Sequence, residues 1–188
     1  MGTHVALLRG VNVGGRTLPM AELRAIVEAA GHEDVKTYIQ SGNVVFTSSD
    51  GAAASDDDLA GAIEAGIEER LGMQVPVIVL SKDELAGAVE VDPYPADEDP
   101  RFVHYIFFAQ TLGAADVERV AAAQASVAAK GKKGRDEATA IGRVVYLHTP
   151  DGFGRSELSV VLLKAGKQVP VGTARNRSTV RKLLDLLG

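Results

Sequence analysis

The chain contains no cysteine among its 188 residues. This absence excludes disulfide bonds, thiolate metal sites and a cysteine nucleophile, and it is typical of a protein from a reducing compartment. No apolar run approaches the ~20 residues that a membrane-spanning helix needs. The N-terminus also lacks a basic region followed by an apolar stretch and a cleavage site, so nothing indicates export. These absences predict a cytoplasmic protein that does not enter a membrane.

Side chains suited to acid–base or metal chemistry are scarce. The four histidines are scattered, and they form neither a metal-ligand spacing nor a Ser/His/Asp arrangement. The acidic runs at 56–58 and 97–99 are typical of a helix start and a solvated linker, not of paired catalytic carboxylates. We therefore expect no metal and no cofactor, and the sequence leaves open whether the protein is an enzyme.

Charge is distributed unevenly along the chain. Residues 1–99 contain 6 basic and 18 acidic side chains, whereas residues 100–188 contain 14 and 7. Such segregation indicates an anion-binding face, two halves that attract each other, or merely an uneven solvated surface.

The first half shows the periodicity of a small α+β unit. The predicted elements are strands at 4–9, 35–40, 43–48 and 75–80 and helices at 19–31 and 55–72. Their order is β-α-β-β-α-β, which is the order of the split βαβ, or ferredoxin-like, unit.

The second half repeats much of this order, with the predicted elements offset by about 100 residues. His4 matches His104 and Phe46 matches Tyr146 at that offset. In place of a clear fourth strand, the second half has a polar stretch and a last helix. The sequence therefore predicts duplicated ferredoxin-like halves with mostly antiparallel sheets and an extra C-terminal helix. The predicted ranges are 1–80 for the first half, 81–100 for a short helix and Pro-rich acidic link, and 101–188 for the second half.

A glycine-rich loop follows the first predicted strand, in the stretch LLRGVNVGGRTLPM (7–20). It is one substitution from the P-loop pattern, but Arg16 stands where that pattern has lysine and the helix begins late. We therefore expect no nucleotide hydrolysis by this loop. Two interpretations stay open: the loop binds an anion through its backbone amides, or its glycines merely adopt positive φ angles in a structural turn.

Four ordered segments, ALLRGVNVGG, YIQSGNVVF, PDGFGRSELS and TARNRSTVRKL, resemble domain-of-unknown-function family 1697. The resemblance implies a bacterial, mostly cytoplasmic α+β protein with two related halves. It assigns no activity and no catalytic residue. Where the family usually has Arg-Asn-Trp-Asn-Thr, this chain has Arg175-Asn176-Arg177-Ser178-Thr179. A ligand stacked on that tryptophan would lose the contact here or meet a guanidinium instead.

Polar residues gather at the ends of predicted elements in a pattern that suits a small anion. The candidate ligand-binding residues are Arg9, Asn12, Gly14, Gly15, Arg16, Ser41, Asn43, Gly154, Arg155, Ser156, Arg175 and Asn176. Helix starts offer free amides and a favourable dipole to an anion, although Ser156 and Asn176 are also ordinary helix caps. We expect a phosphate- or carboxylate-bearing small molecule to bind in a cleft between the halves, with or without catalysis.

The alternative is a nucleic-acid- or protein-binding module that uses the basic second half. Nucleic acid is not favoured, because the first predicted strand has no aromatic residue and the third offers only Phe46 to an RNA base. The aromatic-rich stretch FVHYIFF in the second half is apolar on both faces, which indicates a buried strand. The sequence does not indicate an oligomeric state.

Overall fold

The structure is a computed structural model that describes residues 2–15, 17–49, 54–130, 135–164 and 171–188. The chain forms two compact units. The first comprises Met1–Gly87 together with Lys182–Gly188, and the second comprises Ala88–Arg181.

The first unit contains a four-stranded antiparallel sheet with strand order β2-β3-β1-β4. Its elements are β1 (Gly2–Leu8), α1 (Met20–Ala29), β2 (Glu33–Thr37), β3 (Asn43–Ser48), α2 (Asp56–Leu71) and β4 (Val77–Ser81), followed by α3 (Lys82–Glu90). Helices α1 and α2 cover one face of the sheet, where apolar side chains from strands and helices form one buried cluster.

The sequence signals at the ends of α2 are confirmed. Ser55 and Asp58 form a reciprocal capping box, in which the Ser55 hydroxyl accepts from the Asp58 amide at 3.1 Å. The helix ends at Gly72, whose φ of 63° is left-handed. These local signals explain why the helix begins and ends where the sequence predicts.

The second unit contains a four-stranded antiparallel sheet with strand order β6-β7-β5-β8. Its elements are β5 (Val103–Phe108), α4 (Ala114–Ala128), β6 (Glu137–Ile141), β7 (Val144–His148), a 3₁₀ turn (Phe153–Arg155), α5 (Glu157–Leu163) and β8 (Gly172–Asn176), followed by α6 (Arg177–Leu187). In the described residues the architecture is therefore α+β, with two antiparallel sheets and six α-helices.

The expectation that the second half lacks a clear fourth strand is wrong. β8 pairs with β5, and Arg175 lies opposite Tyr105. Gly172 permits the close approach of the two strands, because a Cβ there would lie 2.7 Å from Ile106 Cγ2. The stretch has few apolar residues, so its strand character comes from this pairing and not from a hydrophobic pattern.

The strand predicted at 35–40 is also displaced. β2 begins at Glu33 and ends at Thr37. Beyond its end, the backbone of Ile39 has a left-handed φ of 49°, which lies outside the β region.

The two sheets differ by one residue in register. His4 lies opposite Phe46 in the first sheet, whereas His104 lies opposite Leu147 in the second. A one-residue shift exchanges the faces of a strand. Leu147, not Tyr146, packs in the helix-facing cluster of the second unit. The offset-100 match of Phe46 with Tyr146 therefore does not align equivalent faces.

Of the helices in the described residues, none has the length and apolar character needed to cross a membrane.

Candidate functional site

Two loops of the first unit emerge at the same end of its sheet. β1 ends at Leu8 and β3 begins at Asn43, and the antiparallel pairing places Leu7 opposite Asn43. The described residues of the loop after β1 (9–15 and 17–19) and the loop before β3 (38–42), called here the paired loops, therefore lie side by side. Backbone hydrogen bonds fix their bases: Leu8 donates to the Gly42 carbonyl at 2.8 Å, and Arg9 donates to the Pro76 carbonyl at 2.9 Å.

Asn12 ties the paired loops together. Its Nδ2 donates to the Leu18 carbonyl at 3.0 Å and to the Gln40 carbonyl at 2.6 Å, and its Oδ1 accepts from the Leu18 amide at 2.9 Å. Its φ of 55° is left-handed, a conformation that asparagine adopts more readily than most residues. The side chain thus closes the glycine-rich loop on itself and joins it to the second loop.

Asn43 organises the second loop from inside. It is fully buried, and its Nδ2 donates to the Tyr38 carbonyl at 2.9 Å and to Ser41 Oγ at 3.0 Å. The Tyr38 amide returns a hydrogen bond to the Asn43 carbonyl at 2.9 Å. Ser41 and Asn43, both predicted to contact a ligand, are therefore brought together, and the Asn43 amide is used to shape the loop.

Gly42 allows the loops to pack closely. Its φ is 77°, and a Cβ there would lie 2.6 Å from Val11 Cγ2 and 2.8 Å from Leu8 Cβ. Both neighbours are buried, so they have little room to move away. Only glycine meets the conformational and the steric requirement together.

Several residues at the tips of the paired loops have left-handed backbones. Gly14 and Gly15 are exposed with φ of 59° and 87°. Among the described residues, neither glycine amide donates a hydrogen bond to another part of the chain. Ile39 on the other loop has a φ of 49°. That conformation costs a β-branched residue roughly 1–2 kcal/mol, and such strain concentrates at functional sites.

Among the described residues of these loops, Arg9 carries a positive charge. It directly precedes Gly10, and its guanidinium nitrogen Nη1 is buried. A partly desolvated guanidinium interacts with an anion more strongly than a fully hydrated one, because water screens it less. Arg16, also a candidate, lies outside the described residues.

Two of the five candidates of the second unit, Ser156 and Asn176, serve as helix caps. Gly154 and Arg155 are exposed in the 3₁₀ turn. Ser156 Oγ accepts from the Ser159 amide at 2.9 Å at the start of α5. Asn176 Oδ1 accepts from the Thr179 amide at 2.8 Å at the start of α6. The capping interpretation is therefore confirmed for Ser156 and Asn176.

Arg175 lies within β8 and not at a helix start. Its side chain is buried, and its Nη1 donates to Thr173 Oγ1 at 2.9 Å and to the Ala174 carbonyl at 2.8 Å. Burial lowers the pKa of Arg175 to about 10, because desolvation disfavours the charged form.

Arg177 does not offer a guanidinium to a ligand. The side chain is fully buried. Its Nε donates to Asp92 Oδ2 at 2.7 Å, its Nη1 to the Pro95 carbonyl at 2.7 Å and its Nη2 to the Tyr94 carbonyl at 3.1 Å. Of the two alternatives left open by the sequence, these hydrogen bonds favour loss of the stacking contact over its replacement by the guanidinium. The guanidinium instead donates hydrogen bonds to Asp92, Tyr94 and Pro95, which lie in the segment that follows α3.

Sequence reasoning missed two residues of the paired loops, Ile39 and Gln40. Ile39 was assigned to a strand because β-branched residues favour strands. The available signal was its position three residues before Gly42, at the start of a glycine-containing turn.

The fold has a known counterpart. The chain is similar to the solved structure of the conserved bacterial protein SP0830 from Streptococcus pneumoniae, with a TM-score of 0.69 and 23% sequence identity. The match covers 100% of this chain and 99% of that chain. At this identity the likeness shows the fold alone. No curated protein matches the chain. The model of the family described as Protein of unknown function (DUF1697) matches residues 1–146.

Proposed function

We propose that this chain, which belongs to the family described as Protein of unknown function (DUF1697), binds a small anion at the paired loops. The anion is a phosphate or carboxylate group of a small molecule. The observation that carries the proposal is the exposed pair of left-handed glycines, Gly14 and Gly15, on a loop that Asn12 holds in place.

Backbone amides in this arrangement are suited to anions. Successive amides in a turn with left-handed residues form a concave group of donors, which binds oxyanions in many proteins. A loop already fixed by side-chain hydrogen bonds loses little further entropy when a ligand binds. The hydrogen bonds of Asn12 supply that fixation before any ligand arrives.

Arg9 adds the charge that the amides lack. A guanidinium recognises the plane of a phosphate or carboxylate with two parallel hydrogen bonds, which lysine does not match. The site differs from a P-loop, because α1 begins at Met20 with Pro19 at its cap, a turn beyond Thr17. The proposal is therefore anion binding without nucleotide hydrolysis.

We also infer that the two units arose by duplication of one ferredoxin-like unit. The equivalent strand orders of the two sheets and the shared sequence of strands and helices support this inference. The one-residue shift in register indicates that the chain between β5 and β7 is one residue longer than the chain between β1 and β3. A cytoplasmic location and the boundaries at 1–80, 81–100 and 101–188 stay predictions.

A titration followed by amide NMR tests the anion proposal. Inorganic phosphate and acetate are added to ¹⁵N-labelled protein, and we expect shifts concentrated at the amides of Gly14, Gly15 and Thr17. Arg9→Met should weaken binding about tenfold. The control Arg24→Met removes an exposed arginine from α1 of the same unit and should leave the affinity unchanged.

Two results would contradict the proposal. One is the absence of shifts at these glycine amides. The other is an equal loss of affinity in Arg9→Met and Arg24→Met, which would show a general effect of charge. A separate Arg155→Met variant tests the exposed candidate of the second unit. Steeply salt-dependent binding of an oligonucleotide, without glycine shifts, would favour the nucleic-acid alternative.

A further inference from the structure

The paired loops expose two β-branched apolar side chains. Val13 is 62% exposed and Ile39 is 49% exposed. Single exposed apolar residues are common on protein surfaces. These two residues lie on separate loops that are joined by the hydrogen bond from Asn12 to Gln40. Val13 follows Asn12 in the chain, and Ile39 precedes Gln40. The surface that carries the exposed glycine amides therefore also carries apolar area.

The backbone makes Ile39 an unexpected choice at its position. Glycine or asparagine adopts a φ of 49° at lower cost, whereas a β-branched residue is a genuine outlier there. The side chain is half exposed, so core packing does not account for it. An apolar group is thus kept pointing to solvent at a position where a polar residue or glycine would be more stable. Strain of this kind is typical of residues that contact a ligand.

We propose that the ligand of the paired loops is amphipathic: a phosphate or carboxylate joined to an apolar aromatic or alkyl group. The anion contacts the amides of Gly14 and Gly15, and the apolar group covers Val13 and Ile39. This inference rests on the proposed function and adds the class of ligand. The combination follows the usual composition of small-molecule sites, in which apolar surface supplies affinity and a few polar groups supply orientation.

A comparison of inorganic phosphate with phenyl phosphate tests this inference. We expect wild-type protein to bind phenyl phosphate about 10-fold more tightly, because the ring removes apolar area from water. Ile39→Gly should reduce the affinity for phenyl phosphate about fivefold and leave the affinity for inorganic phosphate within twofold. The same variant should unfold at an equal or higher temperature, because glycine relieves the left-handed backbone.

Two further variants separate loss of contact from loss of structure. Ile39→Asn keeps a residue that tolerates the left-handed backbone, and it should reproduce the loss of phenyl phosphate affinity. Val13→Ala should weaken phenyl phosphate binding severalfold, whereas Val91→Ala, which shortens a valine that is 46% exposed outside the loops, should not.

The outcomes distinguish the two proposals. Equal affinities of wild-type protein for inorganic and phenyl phosphate would overturn the amphipathic ligand and leave anion binding standing. An equal loss for both ligands in Ile39→Gly would do the same, because it would make Ile39 a support of the loop. Binding of neither ligand would overturn both proposals.

Discussion

The carboxylate of Asp92 meets the guanidinium of Arg177 inside the second unit, with Arg177 Nε donating to Asp92 Oδ2 at 2.7 Å. The hydroxyl of Tyr105 donates to the same oxygen at 2.6 Å. Arg177 is completely buried. A charge that has lost its water is tolerated only when its partners replace the hydration, so this pair determines how the segment after α3 is held.

Removal of one partner of this pair should destabilise the protein strongly. Arg177→Met leaves the Asp92 carboxylate buried without its cation, and we expect the free energy of unfolding to fall by about 3–5 kcal/mol. The double variant Arg177→Met/Asp92→Leu should lose much less than the sum of the single variants. Urea unfolding measures all three.

The exposed pair of Arg101 and Asp99 provides the control for that experiment. Arg101 is 77% exposed, and Arg101→Met should change the stability by less than about 1 kcal/mol. Equal effects of Arg177→Met and Arg101→Met would show that the buried pair has no special role.

Alanine at Gly42 should be far more harmful than alanine at Gly72. Both glycines have left-handed backbones, so each substitution carries a similar conformational cost of about 1 kcal/mol. Only at Gly42 does the added Cβ clash with buried atoms, whereas at Gly72 nothing lies within 4 Å. We expect an additional loss of about 1–3 kcal/mol for Gly42→Ala. Thermal unfolding of both variants checks this, and equal losses would show that the loops adjust.

Asn12→Gly isolates the contribution of the Asn12 side chain, because glycine accepts its φ of 55°. The variant loses three hydrogen bonds, at a cost of about 2–3 kcal/mol. The amide of Leu18 donates to Asn12 Oδ1, so its hydrogen exchange should accelerate more than that of amides in β1. Unchanged protection of Leu18 would show that the loop is held by other contacts.

The protein should lose stability between pH 6.5 and pH 4 through His104. Burial lowers the pKa of His104 to about 4, and its Nδ1 has no hydrogen-bond partner in the described part of the chain. Over this pH range the unfolded state takes up the proton and the folded state does not, so stability falls as the pH falls. The loss is at most about 3 kcal/mol.

Variants at His104 test whether this residue causes the pH dependence of the free energy of unfolding. His104→Gln and His104→Phe lack the ionisable group, so their stability should depend less steeply on pH between 6.5 and 4. Urea unfolding at several pH values measures the slopes. A wild-type slope that persists in both variants would assign it to other groups.

The sequence correctly predicted elements that have capping residues or a terminating glycine at their ends. α2 was placed correctly because Ser55 caps it and Gly72 ends it. β8 was missed because its residues contain no alternating apolar pattern, and its pairing with β5 provides what local propensity does not. Ile39 was placed in a strand because single-residue propensity does not register the packing of Gly42 nearby.

The candidate site shows the same division between local and tertiary information. Asn12 and Asn43 were predicted to contact a ligand, and in the structure their side-chain amides donate to carbonyl groups of the chain itself. A sequence shows that an amide-bearing residue stands in a loop. Only the fold shows whether its amide faces a ligand or the neighbouring loop.

The membership of residues 182–188 in the first unit has a consequence for biosynthesis. Leu183 and Leu187 are buried there, and Lys82 Nζ donates to the Gly188 carbonyl. A ribosome that has released residues 1–87 must still synthesise the rest of the chain before these side chains emerge. At ordinary elongation rates this takes roughly 5–20 s. The last residues of the first unit are therefore synthesised only after the whole of residues 88–181.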